Sequence, residues 1–255
     1  IIVNALPEVT IVGDEAICIG DELTLSGAGA DTYVWADGVV DGEAFSPAAT
    51  ATYEVTGTDE NGCVNTASLE VVVNNLPEVE AAADVAEICV GASVVLTGSG
   101  AESYEWDNEV VDGESFSPEA TATYTVTGTD VNGCVNTATI DVAVNALPEI
   151  MITADAAAIC IGEEVTLTAT GEGTITWSGD VVDGEAFAPT ETATYEVSTV
   201  DENGCENMAT FEVVVNELPT ISIIGDEAIC IGDELTLSGA GAETYVWTDG
   251  VVDGE

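Results

Sequence analysis

Apolar and polar residues alternate with a period of two in short runs along the first quarter of the chain. Leu23 and Leu25 fall on one side of such a run, as do Tyr33 and Trp35, Tyr53 and Val55, and Leu69, Val71 and Val73. A two-residue period puts each set on one face of a β-strand. The runs are rich in Val, Ile and Thr and are bounded by Gly, Asp and Pro, which predicts strands near 8–12, 22–27, 32–36, 51–58 and 64–73. The apolar sets are the expected core, with Trp35 as its central aromatic. Between the last two runs, Asp59-Glu60-Asn61-Gly62 supplies the Asn-Gly step of a tight hairpin. Short strands with this punctuation indicate a β-sandwich.

The pattern repeats. Leu-Pro steps occur at Leu6-Pro7, Leu76-Pro77, Leu147-Pro148 and Leu218-Pro219, and tryptophans at Trp35, Trp106, Trp177 and Trp247. Both series return with a period of roughly 70 residues, the signature of a tandem array. Units are therefore placed at 6–75, 76–146 and 147–217, with 1–5 matching the end of a preceding unit and 218–255 the N-terminal part of a fourth. Residues 6–43 and 218–255 agree at 32 of 38 positions, so the array is expected to have grown by duplication in blocks of three and to continue past both ends. The unit junctions, such as Asn74-Asn75-Leu76-Pro77, contain no Gly/Ser linker. Proline fixes its own φ and holds the preceding residue extended, so consecutive units are expected end to end in an extended rod.

Charge narrows the function. Among 255 residues there are 49 Asp plus Glu and no Lys, Arg or His, a formal net charge of -49. Phosphate and base readout, nucleic-acid binding and histidine-dependent nucleophilic catalysis all lack their cations. Docking on an anionic membrane is excluded for the same reason. The hydrophobic fraction of 46% nonetheless supplies side chains for a core, so the chain is read as folded and not disordered. Carboxylate pairs such as Asp14 and Glu15, Asp21 and Glu22, or Asp41 and Glu43 are read as solvated surface and not as the acid and nucleophile of a glycosidase. No enzymatic activity and no required cofactor are expected.

Two further chemistries remain. Cys18/Cys63, Cys89/Cys134 and Cys160/Cys205 are each 45 residues apart, and Cys230 stands where its partner would fall beyond residue 255. Metal-type Cys-x-x-Cys spacing is absent, so one disulfide within each unit is expected, with Cys230 left unpaired, in an oxidising compartment. A 45-residue loop closed this way contributes roughly 4 kcal/mol in the chain-entropy picture. The candidates for weak calcium ligation are the oxygens of Asp37, Asp41, Glu43, Asp59 and Asn61, although the regularly spaced Asp loop of a calcium-binding hand is missing.

The segments ICIGDELTLSGAG (17–29), TYVWADG (32–38), AFSP (44–47) and TATYEVTGTDENGC (50–63) resemble the PKD-like and Ig-like tandem repeats of secreted surface proteins of Bacteroidota. The resemblance covers the whole chain. It implies an all-β tandem array of Ig-like or PKD-like sandwiches, export, and an extracellular or cell-surface location. The cysteine order departs from that of antibody domains, because Cys63 follows the Asn-Gly hairpin and does not lie inside a strand. The bridge is therefore expected to tie the loop before the second strand to the final hairpin.

The expected function is a structural stalk or filament of disulfide-stapled acidic repeats. Its partners would be the continuation of the same polypeptide or homotypic subunits. The alternative is a surface adhesin whose repeats recognise a glycan or divalent cations.

Overall fold

A computed structural model of the chain describes residues 3–36, 38–248 and 252–253. It divides into two bodies, residues 1–146 and 147–255. Every regular element among the described residues is a strand, and none is a helix long and apolar enough to cross a membrane.

The first repeat forms β1 (Thr10–Val12), β2 (Ala16–Cys18), β3 (Leu23–Thr24), β4 (Ser26–Ala28), β5 (Thr32–Trp35), β6 (Ala44–Phe45), β7 (Ala51–Thr58) and β8 (Val64–Asn74). The second forms β9 (Glu80–Ala83), β10 (Glu87–Cys89), β11 (Val94–Ser99), β12 (Ser103–Trp106), β13 (Ser115–Phe116), β14 (Ala122–Thr129) and β15 (Val135–Asn145). Two sheets make the second and third sandwiches, and in the first the smaller layer is split into the pairs β1-β4 and β3-β6. In the second repeat one sheet has the order β13-β11-β9 and the other β10-β15-β14-β12. All neighbours are antiparallel except β10, which runs parallel to the end of β15. This order is immunoglobulin-like: the two longest, final strands form a hairpin flanked by the tryptophan strand, and the opposite sheet holds the first, third and fifth strands of the repeat.

In the second body, β16 (Ile150–Ala154), β17 (Ala158–Cys160), β18 (Val165–Gly171), β19 (Thr174–Trp177), β20 (Ala186–Phe187), β21 (Ala193–Val200) and β22 (Glu206–Asn216) repeat the arrangement. They are followed by the strand pair β23 (Ser222–Ile224) and β24 (Ser238–Ala240).

The core sits between the sheets and follows the alternation. Leu23, Leu25, Tyr53 and Val71 are buried together in the first repeat, and Leu96, Trp106, Tyr124, Val126 and Val142 in the second. An edge-to-face aromatic pair, Phe45 with Tyr53 at 5.4 Å, recurs as Phe116 with Tyr124 and Phe187 with Tyr195. Trp35 is only partly buried, whereas Trp106 is 6% exposed. In the second repeat a tight turn follows the tryptophan. Asn108 and Glu109 take positive φ, the Val110 N–H donates to the Asp107 carbonyl at 3.2 Å, and Val110 packs into the cluster around Trp106.

Each repeat is closed at its entrance by an asparagine. The Asn65 side-chain N–H group, at the start of β8, donates to the Pro7 carbonyl at 2.9 Å, and Asn136 and Asn207 do the same for Pro77 and Pro148. A proline carbonyl freed from sheet pairing is thereby satisfied, and the incoming chain is fixed beside the beginning of the last strand.

Candidate functional site

Two constructions stand out, a tryptophan–aspartate clasp that recurs through the repeats and a cysteine bridge between the first two repeats. In the clasp, Asp41 follows Trp35 by six residues. Its Oδ1 accepts the indole N–H of Trp35 at 2.9 Å and the backbone N–H of Gly27 at 2.7 Å. Trp35 ends β5 in one sheet and Gly27 lies in β4 of the other, so a single carboxylate oxygen joins the two sheets. The same triplet recurs with Asp112, Trp106 and Gly98, with Asp183, Trp177 and Ala169, and with Asp253, Trp247 and Gly239. Hydrogen bonds to an ionised acceptor are stronger than those between neutral groups.

Asp59 is committed in a similar way. Its Oδ1 accepts the N–H groups of Asn61 at 2.9 Å and Cys63 at 2.7 Å, which closes the hairpin between β7 and β8. Gly62 supplies the positive φ, 76°, that this turn needs. Asp130 and Asp201 hold the equivalent turns.

These bonds bear on the calcium candidates. Asp41 and Asp59 each commit an oxygen to internal donors, in two different parts of the repeat, and Glu43 and Asn61 are exposed. Asp37 lies outside the described residues. Among the described residues no group of three or more Cys, Asp or Glu is placed to hold a metal ion. In the third repeat the Asp155 carboxyl is held below the usual carboxylate range, chiefly by the backbone N–H of Thr166 at 2.9 Å and against the opposing effect of desolvation.

The cysteine bridge departs from expectation. Cys18 is bonded to Cys134, in the following repeat, with 5.5 Å between the Cα atoms, and not to Cys63. Strand geometry gives the reason. The short β2 pairs in parallel with the far end of β8, placing Cys18 opposite Asn74, and the Ile19 N–H donates to the Asn74 carbonyl at 2.8 Å. Cys63 precedes Val64 at the other end of the same strand. Ten residues of strand separate the two ends by about 33 Å, whereas a disulfide needs Cα atoms within about 7 Å. Pairing within the repeat is geometrically closed.

The next repeat brings the partner instead. Asn74 is three residues from Pro77, whose carbonyl is held by Asn136, two residues past Cys134. Cys134 itself is fully buried and fixed in its hairpin by the N–H bond to Asp130, 2.8 Å long. Asp14, Asp21 and Glu22 from the first repeat and Asn132 and Gly133 from the second line a shallow cleft at the bridge.

The first cysteines of the other complete repeats occupy the same place, Cys89 opposite Asn145 and Cys160 opposite Asn216. Neither Cys89 nor Cys205 is a free thiol. Cys63, Cys160 and Cys230 are free thiols and Cys134 is taken by Cys18, so the expected in-unit pairs Cys18/Cys63, Cys89/Cys134 and Cys160/Cys205 are all corrected. Strand length is the signal that could have found this. The long run between the Asn-Gly hairpin and the Leu-Pro step already separates the two cysteines of one repeat.

No protein-family profile matches the chain, and no curated protein sequence matches it. Solved structures do. The first eight Ig domains of the Down syndrome cell adhesion molecule share 18% identity at a TM-score of 0.44, over 83% of this chain and 37% of that one. Three Ig domains of titin align over 84% of this chain and 100% of theirs, at 10% identity and a TM-score of 0.36. A calcium-stabilised adhesin with which an Antarctic bacterium binds ice aligns over 93% of this chain and 83% of its own, at 14% identity and a TM-score of 0.34. The chain spans 37% of the cell adhesion molecule structure that it matches.

Proposed function

We propose that the chain is a structural segment of an extracellular stalk or filament. In this reading 6–75, 76–146 and 147–217 are each one Ig-like unit, 1–5 ends a preceding unit, and 218–255 begins a fourth. The observation that carries the reading is the Cys18–Cys134 bridge, which crosses the Leu76-Pro77 junction and ties consecutive sandwiches together. A covalent tie across a junction removes hinge freedom, which serves a stiff support and would hinder a module that must reorient to bind. Stable disulfides of this kind belong to oxidising surroundings outside the cytosol. A formal charge of -49 with no cationic side chain favours solubility and mutual repulsion between chains.

The adhesive alternative draws less support. None of Trp35, Trp106, Trp177 and Trp247 is exposed, and each indole N–H is tied to an internal aspartate that holds the ring in place, which leaves little free ring face for stacking a sugar. No enzymatic role is proposed. Small-angle scattering on chains of increasing repeat number tests the stalk. The maximum dimension should grow linearly, by roughly 30 to 40 Å per repeat from strand rise, and a particle that stays compact would overturn the reading.

A further inference from the structure

The bridge has a mechanical consequence that rests on its connectivity alone. Tension on a polypeptide follows the shortest covalent path. From Asn4 that path runs through β1 and β2 to Cys18, crosses the bridge to Cys134, and leaves along β15 to Ala146. Everything between the two cysteines, a separation of 116 residues, is a side loop that carries no load. The loop contains β3 through β8 of the first sandwich, the Leu76-Pro77 junction, and β9 through β14 of the second.

We infer that the Cys18–Cys134 bridge acts as a load bypass: it keeps the chain between the two cysteines out of the tension path and makes this part of the chain nearly inextensible even if its sandwiches are pulled open. The strands left in the load path are β1 and β2, which pair with β4 and β8, and β15, which pairs with β14 and β10. Peeling these three strands releases little chain. Unravelling the other strands of either sandwich is blocked unless a disulfide breaks. In an ordinary tandem array of Ig-like domains each domain that opens lengthens the tether by most of its sequence; here the hidden length stays hidden. The cysteine that makes this work is the one on the edge strand beside the exit of a repeat. Its partner sits in the hairpin beside the entrance of the next, so the bypass spans a junction and not merely a loop within one domain.

The inference deepens the stalk reading but is tested separately from it. The full chain is oxidised and carries non-thiol handles at the exposed positions Asn4 and Ala146. It is then stretched in single-molecule force spectroscopy, and the contour length at full extension is recorded. With the bypass closed, about 26 peptide steps are available, roughly 90 Å at about 3.5 Å per residue. Bridges within each repeat would instead leave about 52 steps, roughly 180 Å, and an unbridged chain about 500 Å.

Oxidised wild type should give the shortest of these lengths, and adding a thiol reductant should raise it about fivefold. The double variant C18S/C134S should give the unbridged length without reductant, and Cys63→Ser should leave the short one unchanged. An oxidised length at the intermediate value, or one that Cys63→Ser increases, would overturn the inference, as would the unbridged length before reduction. A compact particle in scattering would refute the stalk while leaving the short contour length intact, so the two failures are distinguishable.

Discussion

Replacing Asp112 by alanine removes one carboxylate that serves two donors, the Gly98 N–H at 2.7 Å and the Trp106 indole N–H at 2.8 Å. Trp106 is 6% exposed, so water cannot readily take the place of the missing acceptor. A buried donor left unpaired costs about 1–3 kcal/mol. Two such donors, one of them partly reachable from the exposed side of the clasp, put the total at about 2–4 kcal/mol. Asp112→Asn keeps a side-chain carbonyl in place and loses only the charge assistance, about 1 kcal/mol. The first repeat provides an internal comparison. Asp41 is exposed and Trp35 only partly buried, so Asp41→Ala should cost about half as much, because solvent can satisfy the freed indole. The assay is hydrogen exchange by mass spectrometry along a urea series, reading peptides of the second repeat for Asp112→Ala and of the first for Asp41→Ala, with the disulfides intact. Equal losses for the two alanine variants would refute the claim that burial sets the strength of the clasp. A loss for Asp112→Ala smaller than that of even one unpaired donor would refute the claim that the clasp holds the sheets together.

Two further outcomes follow from local geometry. Gly100 has φ +89° and its missing Cβ would collide with the carbonyl oxygen of Glu78, so Gly100→Ala should destabilise the second repeat by about 2 kcal/mol or more; a thermal melt unchanged from wild type would contradict this. Asp155 has a folded pKa below its ordinary value because its carboxylate accepts the Thr166 N–H. A depressed value stabilises the fold above the ordinary carboxylate range, and that contribution is lost as pH falls through the folded value. The amide resonance of Thr166 should therefore titrate with a midpoint below the ordinary carboxylate value, and a midpoint at or above that value would remove the assignment.

What is legible in the sequence is what repeats with a clear period. The strands at 51–58 and 64–74, the Asn-Gly hairpin and the buried Leu23, Leu25, Val55 and Val71 all follow from alternation and turn chemistry. The short strands Ala16–Cys18 and Ala44–Phe45 do not, because two or three residues are too few to carry a period, and their pairing is set by the sheets they join. That gap decides the cysteine reading. As part of a loop, Cys18 would be free to reach Cys63; as part of a strand locked opposite Asn74, it lies a full strand length away. The clasp is hidden for a different reason. Asp41 is one of 49 acidic residues, and only the bonds from Trp35 and Gly27 separate it from its solvated neighbours.

The central claim, that successive sandwiches are covalently tied across their junction, is tested most directly by mapping the native disulfides. The chain has no lysine or arginine, so trypsin is of no use, and proteases that cut at aspartate or glutamate are required. Digestion without reduction, with free thiols blocked beforehand, should yield a linked pair of peptides containing Cys18 and Cys134, and Cys63 should be recovered alkylated. A linked pair containing Cys18 and Cys63 would contradict the account.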